Sequence, residues 1–194
     1  MPRPLTNIQI PKLDMSSLIP EIKIEGDWKV ATEVIDNVES SIQKGYDKSV
    51  NQFSKELLSI IKNSVLNGTP PKGSGVHWAK HAPSTIRKHG KHKLLNLTGR
   101  YASLIGIQKY NKRTYIGVPL NMRLSDDDKK KITVGALARI LEYGTNDGKI
   151  PGRPLWKPAL KSVGGKQKLV ELIRTNIRKE IMARTGVKAN QIRW

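Results

Sequence analysis

The chain contains no cysteine. That excludes a disulfide framework, a thiol nucleophile and a Cys-type zinc site. Aromatic residues are scarce at 5%, with a single phenylalanine, Phe53. Stacking platforms for exposed bases are therefore not expected. No apolar run approaches the ~20 residues of a membrane span, and the N-terminus lacks the hydrophobic core of a signal peptide. The expectation is a soluble protein made in the cytoplasm. Acidic residues are also in short supply, 16 against 35 basic ones, giving a formal charge of +19. A chain this basic repels itself, so an acidic partner is expected: nucleic acid, membrane or acidic protein. The excess is uneven. Residues 1 to 98 carry 14 basic and 9 acidic groups, residues 99 to 194 carry 21 and 7.

Chemical motifs are missing too. No serine stands in a G-x-S-x-G elbow. The phosphate-cradling patterns G-x-x-x-x-G-K-[ST] and G-x-G-x-x-G are absent, and Lys72-Gly73-Ser74-Gly75 follows two prolines rather than a strand. Glu142 has no second carboxylate or histidine beside it in sequence. The four histidines, His77, His81, His89 and His92, all fall between Thr69 and Lys93. His77 and His81 have i, i+4 spacing, but no carboxylate or cysteine completes a ligand set, and Pro83 and Gly90 interrupt the segment. This region reads as a solvated basic linker anchored by Trp78. Asp126-Asp127-Asp128 is followed by three lysines and reads as a self-neutralising turn rather than a metal site. No enzyme, metal or cofactor is expected.

What is present is helical periodicity. From Trp28 to Leu66 the residues Ala31, Val34, Ile35, Val38, Ile42, Tyr46, Val50, Phe53, Leu57, Ile60, Ile61 and Val65 recur every three or four positions. That predicts one amphipathic helix up to ~58 Å long. Asp27 is its N-cap, Gly45 its weak point, and Asn67-Gly68 with Pro70-Pro71 its end. Leu104 to Tyr110 and Arg113 to Val118 predict a hairpin across Asn111-Lys112, preceded by a short helical turn capped by Thr98. Leu169, Leu172, Ile173, Ile177, Ile181 and Met182 predict a last amphipathic helix, separated from Leu155–Ser162 by Gly164-Gly165 and closed by Gly186. Residues 1–26 hold four prolines and two alternating pieces, 7–10 and 21–24. They read as an extended arm that adds a strand to a neighbour, the alternative being a frayed terminus. The expected organisation is arm 1–26, one α+β domain 27–186 and a basic tail 187–194. In that domain the long helix packs on a small antiparallel sheet, with short helices around it.

Ala136 to Lys161 is the most distinctive stretch. A short helix should end at Gly144, and Thr145 to Lys149 should form a polar loop. Ile150-Pro151-Gly152-Arg153-Pro154 must be extended, since each proline restrains itself and its predecessor. Pro158 suits the first turn of the next helix. Glu142-Tyr143-Gly144-Thr145, then Ile150-Pro151-Gly152-Arg153-Pro154-Leu155, then Pro158-Ala159-Leu160 resembles the tail-completion, or virion-morphogenesis, proteins of tailed bacteriophages. Upstream Trp78, Thr85 and Leu97-Thr98-Gly99 are similar to that family's markers in the same order. Gly152 stands where the family has alanine, Trp156 follows a leucine where phenylalanine is common, and Leu104 stands where serine is frequent.

The resemblance implies a structural virion protein of a phage neck, either tail completion or tail terminator. Such a protein forms a ring, with six copies expected, between head-completion or connector proteins and tail proteins around the DNA channel. Its interface residues would be Glu142, Gly144, Thr145, Ile150, Pro151, Arg153, Pro154 and Trp156. Arg153, stiffened between prolines, is expected to grip a carboxylate or carbonyl, with Glu142 as a candidate. Lys157, Lys161, Lys166, Lys168, Arg174 and Arg178 are candidates for lining the channel against non-specific DNA. The alternative from another class is a free basic nucleic-acid-binding protein.

Overall fold

A computed structural model describes residues 8–9, 18–22, 28–90, 93–95, 99–111, 113–123 and 132–194, with side chains of the first helix described from residue 35. The Asp27 and Thr98 caps, the 126–131 charge run and Ile24 lie outside them. The architecture is α+β and mostly helical, as the periodicity predicts. In order come strands β1 (Ile8–Gln9) and β2 (Glu21–Ile22), helices α1 (Trp28–Asn67), α2 (Pro83–His89) and α3 (Arg100–Leu104), and strands β3 (Gly106–Tyr110) and β4 (Arg113–Gly117). Helices α4 (Val134–Tyr143), α5 (Trp156–Ser162) and α6 (Gly165–Thr185) follow, and the chain ends with a 3-10 turn (Ala189–Gln191) and strand β5 (Ile192–Arg193). Both sheets are antiparallel and small: β1-β4-β3 and β2-β5.

The chain forms two compact units, 1–10 with 54–165 and 11–53 with 166–194. Helix α1, 40 residues long, supplies a segment to each unit.

In the first unit α1 buries Leu57, Ile61 and Val65, and the hairpin region buries Ile105, Ile116 and Val118. The hairpin pairs Tyr110 with Arg113, and Asn111 in its two-residue turn has φ 48°, the left-handed conformation such a turn requires. Leu104 closes α3 instead of opening β3, so the strand starts at Gly106. The linker expected over 69–93 is partly helical. Pro83 starts α2, its fixed φ suiting a first helical position, and Gly90 ends it at φ 72°. His77 and His81 precede this helix, so their i, i+4 spacing is not placed on a helical face.

In the second unit α1 and α6 pack through small residues. Ser41, Gly45 and Ser49, four apart, are all buried. Gly45 neither kinks nor splits α1: an added Cβ there would lie 2.6 Å from the Ile177 Cα of α6. The glycine is where two backbones approach. Ser49 Oγ lies 2.6 Å from the Gly45 carbonyl oxygen and 3.0 Å from that of Leu172, either of which can accept its proton, and Asn176 Nδ2–H donates to Ser49 Oγ at 2.9 Å. The buried asparagine is thereby partnered. Helix α6 buries Leu169, Ile173, Ile177 and Ile181, while Met182 is exposed. Ile35, read from its spacing as a buried position, is 61% exposed.

The described parts of the N-terminal segment pair within their own chain. Ile8–Gln9 faces Ile116 and Tyr115, and Glu21–Ile22 faces Arg193 and Ile192. Leu18 and Ile192 are buried. This corrects the expectation that the arm orders only on a neighbour, and gives the basic tail a structural role as β5.

Candidate functional site

The candidate site is the elbow between α4 and α5, within the first unit. Thr133 caps α4, its Oγ1 accepting from the Ala136 N–H at 3.2 Å, and Val134 and Ala138 anchor the helix. At Gly144 the chain leaves the helix with φ 82° and ψ −175°. The φ is positive as expected, but ψ is extended rather than left-handed helical, a combination open chiefly to glycine. Sequence also explains the sharpness of the turn that follows. Thr145 N–H donates to the Ile150 carbonyl at 2.9 Å, and the Ile150 N–H returns to Thr145 Oγ1 at 3.0 Å. Asp147 Oδ1 accepts from Thr145 Oγ1 at 2.6 Å and from the Lys149 N–H at 3.1 Å. These bonds and the Lys149 ammonium hold the Asp147 carboxyl below its ordinary pKa, the Thr145 bond contributing most.

The extended stretch then runs back along the end of α4. Gly144 bridges Pro151, and the Arg153 N–H donates to the Leu141 carbonyl at 2.7 Å. A Cβ at Gly152 would sit 2.9 Å from the Tyr143 carbonyl carbon and 3.0 Å from the Glu142 backbone carbonyl oxygen. That contact leaves little room for any side chain at this position.

Three contacts lock the elbow. Arg153, buried at 7% exposure, donates from Nε to the Ala79 carbonyl at 3.1 Å and from Nη2 to the Lys80 carbonyl at 3.3 Å. Its grip is on two carbonyls, as one of the expected forms had it, but not on Glu142. Burial lowers the guanidinium pKa from its usual value, and the two carbonyls supply the polar partners a buried cation needs. Trp78 Nε1–H donates to the Pro154 carbonyl at 2.9 Å, so the expected hydrophobic anchor is also a hydrogen-bonded one. Glu142 Oε2 accepts from the Leu155 N–H at 2.7 Å and, more weakly, from the Trp156 N–H at 3.4 Å. A carboxylate here satisfies the free amides that open α5 and meets the positive end of that helix. Burial raises the Glu142 pKa, an effect the two amides and nearby Lys157 oppose. The Tyr101 phenol is pushed well above its ordinary value, by burial first and by the Glu142 charge second.

No family model, curated protein or solved structure matches this chain. The site is therefore read from its geometry. Of the eight expected interface residues, Arg153 and Trp156 are buried inside this unit, and Glu142, Gly144, Thr145 and Pro154 are partly covered. Only Ile150 and Pro151 are exposed. Tyr143, which sequence reasoning did not single out, is 76% exposed and lines an open depression with Arg139, Ile140 and the 144–147 loop. The spacing pointed the other way, since Tyr143 stands three residues after Ile140, in register with the α4 apolar pattern. The six channel candidates divide between the units: Lys157 and Lys161 on α5 in the first, Lys166, Lys168, Arg174 and Arg178 on α6 in the second. All are exposed except Arg178, which is half-buried.

Proposed function

We propose that this chain is a non-enzymatic assembly protein of a phage neck, forming a ring that joins head and tail around the DNA channel, as a tail-completion or tail-terminator protein. One observation carries the reading. The markers that resemble the tail-completion family stand in separate blocks of sequence, and in the fold they hold one another. Trp78 binds Pro154, Arg153 spans to Ala79 and Lys80 beside Trp78, and Glu142 caps the helix begun by Leu155 and Trp156. Residues more than 70 positions apart are thus partners in a single elbow. An elbow fixed from behind in this way offers Tyr143, Ile150 and Pro151 as a stiff apolar tip with little ordering entropy left to lose on assembly. The partners would be copies of itself, six in the reading drawn from the resemblance, with head-completion, connector and tail proteins on either side. The location would be the virion, and the channel would carry DNA without base readout.

Labelling tests this directly. An epitope-tagged chain, imaged by immunogold electron microscopy on phage particles produced with it, is expected at the head–tail junction. Exclusion of the tag from particles, with the protein recovered on bulk nucleic acid, contradicts the reading and supports a free nucleic-acid-binding protein.

A further inference from the structure

Between Leu57 and Ser125 the sequence has twelve lysines and arginines and not one aspartate or glutamate. A run of this length holds no counter-charge of its own, and the acids nearest to it in sequence are Glu56 before it and Asp126 to Asp128 after it. Elsewhere in the described part of the first unit the acids are Glu56, Glu142 and Asp147. Glu142 is turned onto backbone amides, and Asp147 is paired with Lys149.

The β3–β4 hairpin lies within this run, and its closed end presents Lys109, Tyr110, Asn111 and Arg113, all exposed. Tyr110 and Arg113 are directly paired across the strands, so they share one face. Lys109 pairs with Thr114, which is buried, and so belongs to the other face. The two ion pairs found among the described residues involve neither Lys109 nor Arg113. Protection of an edge strand would account for Lys109, since β3 is an outer strand of its sheet. It does not account for the missing carboxylates of the run.

We propose that the closed end of this hairpin is a binding site for the phosphate backbone of duplex DNA. Arg113 and Lys109 supply charge, and the Tyr110 hydroxyl and Arg113 guanidinium donate to phosphate oxygens. A two-stranded ribbon is narrow enough to enter a duplex groove, and contacts of this kind position a duplex without reading its sequence. The proposal deepens the neck reading by naming the element that meets the DNA, and it moves that role away from Lys157, Lys161, Lys166 and Lys168.

The test is binding of the full chain to a short random-sequence duplex by fluorescence anisotropy, across a salt series. Each lost phosphate contact reduces the slope of log K against log salt by about 0.9. Lys109→Gln is expected to remove about one contact's worth of slope and Lys109→Gln/Arg113→Gln about two, while Arg113→Lys retains it. The fourfold Gln variant at 157, 161, 166 and 168 keeps the wild-type slope. An unchanged slope in the hairpin variants, a larger loss in the fourfold variant, or equal affinity for polyglutamate overturns the proposal. Sedimentation of the same samples separates the two readings. A wild-type chain that stays monomeric yet shows the hairpin-dependent slope sinks the ring and leaves this site standing. A ring with no such slope does the reverse.

Discussion

At the residue scale the elbow rests on two side chains doing unlike jobs. Arg153 brings two carbonyls from a segment more than 70 positions away onto the turn, and hydrogen bonds to a charged group contribute about 1.5–3 kcal/mol each. Arg153→Ala is expected to lower stability by a few kcal/mol in denaturant titration, and to impair incorporation into particles more than solubility. Arg153→Lys should rescue little, because an ammonium lacks the planar fork. Wild-type stability and incorporation in both variants would show the guanidinium to be dispensable. Glu142→Ala leaves the Leu155 N–H without its acceptor and should cost about 1–3 kcal/mol, whereas Glu142→Gln keeps an acceptor oxygen and loses the burial penalty. The sign with pH follows from the raised pKa. The folded chain holds the Glu142 proton more tightly than the unfolded one, so the penalty is full above the raised value and fades as pH falls toward the ordinary carboxylate range. Melting curves should therefore show the wild type gaining on Glu142→Gln as pH is lowered. A gap that widens with acid would mean that the amide bonds outweigh burial.

At the element scale, what was legible in the sequence was what repeats locally. Helix α1, the 106–117 hairpin and α6 follow from periodicity and turn residues, and their bounds differ little from those expected. What was not legible depended on distant partners. Glycine marks both a weak helix and a close crossing, and only Ile177 against Gly45 shows which applies. Helix α2 was hidden because Pro83 and Gly90 read as linker punctuation when they are its two ends. The elbow's shape was evident, but its bonds to Trp78 and from Glu142 were not, since no local pattern connects residues 78 and 154. Gly45→Ala decides the first case. Helix propensity alone would stabilise α1 by about 1 kcal/mol, while a Cβ against the Ile177 backbone should destabilise by about 1–3 kcal/mol. A lower melting temperature is expected, and a higher one would show that the helices can part without loss. Removing residues 1–26 tests the strand pairings. It takes away Leu18 and the partner of Ile192, so the truncated chain should melt earlier by circular dichroism. Unchanged melting would return the segment to the status of a free arm.

At the scale of the whole molecule the charge dominates. The basic excess lies wholly beyond Glu56: residues 1 to 56 carry 7 basic and 9 acidic groups, residues 57 to 194 carry 28 and 7, and the longest carboxylate-free run lies around the hairpin rather than in the last helix. Among the described residues no helix is long and apolar enough to cross a membrane. Six copies of +19 would total +114 in one ring, a state that needs a polyanion or acidic neighbours to compensate it. Assembly should therefore depend on salt and on DNA. Native mass spectrometry of the full chain, alone and with duplex DNA, addresses this claim most directly. The account predicts a closed species at six times 21.7 kDa, about 130 kDa, favoured by DNA. A chain that stays at the monomer mass under both conditions, while still binding DNA in a salt-dependent way, would contradict it.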